Sequence, residues 1–62
     1  MGQQLLKCYE FAKANGGVQL CMRLAMKTGI PESKAGSEPD TPDNVGKFKA
    51  AIKEFTGKDA PV

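Results

Sequence analysis

Val18-Gln19-Leu20-Cys21-Met22-Arg23-Leu24-Ala25-Met26-Lys27 is the stretch that decides the fold. Wound at about 100° per residue, its seven apolar side chains sweep roughly 240° of a helical wheel. Only Gln19, Arg23 and Lys27 are polar, and their four-residue spacing gathers them into one narrow strip. A surface helix hides a narrower stripe than this. The sweep therefore predicts cover on two or more sides, as in the middle layer of a small helical domain.

Upstream, residues 3–14 predict a first helix. Leu5, Cys8, Tyr9 and Ala12 follow the spacing of one helix face, with Phe11 at its flank and Lys7, Glu10 and Lys13 opposite. Asn15-Gly16-Gly17 is expected to stop it, because Asn and Gly accept the left-handed conformation that closes a helix. The central helix, over 18–27, should end at Thr28-Gly29-Ile30-Pro31: Gly29 caps, Ile30 folds back and Pro31 prevents continuation.

Downstream, residues 32–40 read as an acidic loop carrying Ser33, Gly36, Ser37 and Pro39 with Glu32, Glu38 and Asp40. Thr41-Pro42-Asp43 is a helix start, with Thr41 as cap, Pro42 in the first position and Asp43 at the positive end of the dipole. A third helix over 42–56 follows. Its Val45, Phe48, Ile52 and Phe55 form a seam roughly 80° wide, suited to one groove. The expectation is an all-α, three-helix fold over residues 1–62 as a single small domain. It consists of a helix-turn-helix-like pair plus a third helix after a long loop, with one face of the second helix left apolar and uncovered.

Sixty-two residues with 40% hydrophobic and 6% aromatic side chains and no Trp make a thin core, so self-association is expected. Nine Lys+Arg against seven Asp+Glu leave +2, mildly basic and too weak to imply nucleic acid by itself. No apolar run approaches the ~20 residues of a membrane span. The start of the chain has no basic region ahead of an apolar stretch, which argues against a secretory leader. Two cysteines without a leader favour a reducing, cytoplasmic setting.

Little in the composition supports catalysis. With no His, a general base would have to be a carboxylate, Lys or Tyr, and the acids fall mostly in a solvated loop. Cys8 and Cys21 are far from Cys-x-x-Cys spacing. A hairpin turning near Gly16-Gly17 would offset their thiols by about four residues, roughly 6 Å, so both are expected to be buried, unbridged and without a metal. Gly57-Lys58 lacks the upstream glycine of a phosphate-binding loop. The expectation is a protein that is not an enzyme and carries no cofactor.

Two binding readings remain. The first is a protein interaction module, homo-oligomeric or partner-binding, using Leu20, Met22, Leu24 and Met26 at the surplus apolar surface. The second rests on layout. Phe11 and Ala12, a turn glycine at Gly16, then Met22 and Ala25 facing inward resemble a helix-turn-helix over about 20 residues. Asn15 and Gly17 depart from the apolar residues that usually bracket that turn. The resemblance implies a nucleic-acid binder with Gln19, Arg23 and Lys27 towards a groove and Lys49 and Lys53 on phosphates.

Overall fold

A computed structural model describes residues 2–62. Helix α1 covers Gln3–Thr28 and is broken once, at Gly17, whose φ of 70° and ψ of −161° lie outside the helical basin. Only glycine adopts that conformation without strain. The break is a reversal. On a straight helix Cys21 would stand about 18 Å from Tyr9, yet its thiol donates to the Tyr9 carbonyl at 3.6 Å. Residues 3–16 and 18–28 are thus the two arms of an antiparallel hairpin. The turn is narrower than the sequence suggests. Asn15 and Gly16 remain helical, with Asn15 Nδ2 donating to the Phe11 carbonyl at 2.8 Å. Gly16 serves by its size, since a Cβ there would fall 2.5 Å from Leu20 Cβ.

The second arm ends as expected. Gly29 is left-handed at φ 78° and its N–H bonds to the Ala25 carbonyl, while Ile30 packs half-buried on the core. The segment 32–40, read from sequence as loop throughout, begins instead with a helical turn, α2 (Glu32–Ala35). The Pro31 carbonyl accepts from the N–H groups of Lys34 and Ala35, and Ala35 is fully buried. Gly2 lies against this turn so closely that a Cβ would sit 1.6 Å from the Ala35 carbonyl oxygen. Its N–H donates to the Gly36 carbonyl at 3.3 Å.

Helix α3 covers Pro42–Thr56. Thr41 Oγ1 accepts from the Asn44 N–H at 3.2 Å, and Asp43 sits in the first turn. Gly57 closes the helix at φ 73°. Phe48, Ala51 and Ile52 are buried, with Val45 and Phe55 half-buried beside them. The core lies between this seam and the inner faces of both α1 arms: Leu5, Cys8, Tyr9 and Ala12 from the first, Cys21 and Leu24 from the second. Tyr9 and Phe48 meet edge to face, ring centres 5.5 Å apart, and the Tyr9 hydroxyl donates to the Ile30 carbonyl. The architecture is all-α, and no strand occurs among the described residues.

Candidate interaction surface

The second arm of α1 has only one covered side. Cys21, Leu24 and Thr28 point inward, and Leu20 and Ala25 are half-buried at the edges. Thr28 satisfies its own hydroxyl by donating to the Leu24 carbonyl at 2.8 Å. Turned away from that side, about 90° to 170° around the helix, stand Val18, Met22 and Met26, at 67%, 61% and 84% exposure. Four residues apart, they form a row rising about 12 Å along the arm. The expectation of cover on two or more sides fails because α3 and the first arm both approach from the Leu24 side. Of the four residues picked from sequence, Met22 and Met26 lie on the open face, while Leu20 is half-buried beyond the polar strip, beside Phe55. Leu24, at 0% exposure, belongs to the core and cannot meet a partner. Met22 also does not face inward as the helix-turn-helix layout requires. Val18 was missed, although its spacing of four from Met22 and eight from Met26 carried the signal.

One edge of the row is formed by Gln19, Arg23 and Lys27, all exposed. Gln19 and Arg23 line a shallow cleft of ≈330 Å³ floored by Leu20 and Phe55 and closed by Lys58, whose Nζ donates to Asn15 Oδ1 at 3.3 Å. Lys27 pairs with Glu54 of α3 at 3.3 Å, and Lys53 with Asp59 at 3.5 Å. Lys27, Lys47 and Lys53 line a second depression over Ala50 and Ala51. Lys49 lies about 40° around α3 from Lys53, and its charge reaches Cys8. Of the five residues of the nucleic-acid reading, Gln19, Arg23, Lys27 and Lys53 line the two depressions and Lys49 lines neither. The turn between the arms is one residue long, where helix-turn-helix units use three or four. The other edge of the row meets Pro31, Glu32 and Ser33 across a groove of ≈290 Å³, with Glu32 held by Lys13 at 4.0 Å.

The buried titratable groups are unsuited to covalent chemistry. Burial pushes the Cys8 thiol up to about 11, with Asp40 adding to the rise and Lys49 opposing it. Burial likewise lifts the Tyr9 hydroxyl to about 12 and raises the Cys21 thiol. All three stay protonated at neutral pH, and a thiol in that state is a poor nucleophile. Both cysteines are free. Among the described residues no group of three or more potential metal ligands gathers, and no helix is long and apolar enough to cross a membrane. No protein-family model, curated protein or solved structure matches the chain.

Proposed function

We propose that this protein is a non-catalytic interaction module that binds a polypeptide, a second copy or another protein, through Val18, Met22 and Met26. One observation carries the reading: three large apolar side chains stand in a row on a helix whose inner side already fills the core. Single exposed apolar residues are ordinary, but a contiguous row on a rigid arm marks a contact face. Methionine suits such a face because its unbranched thioether adapts to the shape it meets. The two free, buried thiols fit a reducing, cytoplasmic compartment.

Sedimentation equilibrium over a broad concentration range tests the second copy. A dimer that Met22→Asp converts to a monomer with unchanged melting supports it. For another protein, a photo-crosslinking side chain placed at position 26 should capture a partner that the same group at position 7 does not. A monomer that yields no position-dependent capture overturns the reading. The nucleic-acid alternative is checked in a parallel series with a mixed-sequence duplex at low salt, where no change in mass is expected.

A further inference from the structure

We infer that the partner of this face is an acidic amphipathic helix, apolar where it meets Val18, Met22 and Met26 and bearing carboxylates along the edge that meets Arg23 and Lys27. The inference rests on the interaction reading above and specifies the chemistry of its partner. The two edges of the row are electrically unequal. On the Arg23 side, Lys58 closes the Arg23 cleft, and Lys47 and Lys53 line the depression that Lys27 borders. These five basic side chains face two carboxylates, Glu54 and Asp59, whereas the whole chain carries only +2. Positive charge is therefore concentrated on this flank. The Lys27–Glu54 pair is more than half exposed on both sides, so it is weak and free to exchange partners. Arg23 has no carboxylate partner among the described residues. The opposite edge offers Ala25, Pro31 and Ser33 and a single carboxylate, Glu32, whose charge is offset by Lys13 in an equally exposed pair at 4.0 Å.

A second copy answers this pattern poorly. Two helices packed antiparallel across a two-fold axis set like edge against like edge, which brings Arg23 against Arg23 and Gln19 against Lys27. Packed parallel, the basic edge of one would meet the nearly uncharged edge of the other. A foreign helix with apolar residues at i, i+3/i+4 and i+7 matches the rise of the row, and carboxylates on one flank complement the basic edge.

Three dye-labelled helical peptides test this by fluorescence anisotropy at low and high salt. One carries a leucine face with a glutamate flank, one the same face with a lysine flank, and one the glutamate flank with alanine in place of leucine. The glutamate–leucine peptide should bind at least about ten-fold tighter than either other peptide at low salt, the gap to the lysine peptide narrowing as salt rises. Met22→Asp should abolish its binding, and Arg23→Glu with Lys27→Gln should remove the charge preference, melting curves confirming that both variants fold. Equal affinity for the glutamate–leucine and lysine–leucine peptides, lost in Met22→Asp, overturns the acidic partner and leaves the contact face standing. Binding that ignores Met22→Asp overturns both. Failure of all three peptides overturns this inference, while crosslinking at position 26 decides the face separately. Uptake by phosphatidylserine vesicles with no glutamate-peptide binding also overturns it, in favour of a lipid surface.

Discussion

Leu24 and Met26 stand two positions apart on one helix and answer to different forces. Leu24→Ala empties space in a close-packed core and should cost about 2–5 kcal/mol, read as a fall in the urea midpoint. Met26→Ala removes an 84% exposed side chain and should leave stability within about 0.5 kcal/mol while weakening partner binding. Nothing in the sequence separates these two residues. Both are apolar, and the helical wheel says which side chains neighbour one another without saying from which direction the rest of the chain arrives. Tyr9 and Cys8 carry a second consequence of burial. Both are neutral acids whose ionisation the core opposes, so the unfolded chain releases their protons first. Their contribution is therefore intact below pH 9.0, the ordinary value of the thiol, and is lost as pH rises through about 11 for Cys8 and about 12 for Tyr9. The Cys8 share is on the order of 2–3 kcal/mol, since each tenfold change in an acid constant corresponds to about 1.4 kcal/mol. Urea midpoints should hold steady from neutral pH to 9.0 and then fall; a flat profile through pH 11 would show that burial does not hold the thiol neutral.

Helix α3 was legible almost to the residue because each of its boundaries is a local chemical event. Thr41 supplies an acceptor for an orphaned N–H, Pro42 brings a preset φ, and Gly57 takes the left-handed conformation. Thr41→Ala should accordingly cost about 1 kcal/mol, with faster amide exchange confined to the first turn of the helix. Helix α2 was not legible. A single turn has too few internal hydrogen bonds to offset its own nucleation and exists because Ala35 is buried and Gly2 packs against it. That information lies about thirty residues away in the chain, outside any local window. The hairpin of α1 falls between these cases. The glycines announced a turn, but that one residue would suffice depended on Gly16 admitting Leu20 at close range.

At the scale of the whole molecule, the accessible surface is 3900 Å² for 6.6 kDa. The scaling for self-contained monomers gives about 3,900 Å² at that mass, so the fold closes its core without a partner. The open row on α1 is thus a surface feature and not half of an unfinished core, and disrupting it with Met22→Asp should leave the melting temperature unchanged. The basic flank beside it is assembled from Arg23 and Lys27 on α1, Lys47 and Lys53 on α3, and Lys58 beyond it. The nucleic-acid reading of the sequence already groups Lys53 with the first pair; Lys47 and Lys58 join them through tertiary packing. The single-residue reversal at Gly17 has a topological consequence as well. Straightened, the 26 residues of α1 would make a rod about 39 Å long, against a longest molecular dimension of 24 Å. Such a rod cannot return its first arm to its own core, but it can deliver that arm to a neighbour's. Gly17→Ala, which disfavours the reversal, should therefore drive reciprocal exchange of arms. In sedimentation it would yield an interlocked dimer with undiminished helicity, each chain completing the other.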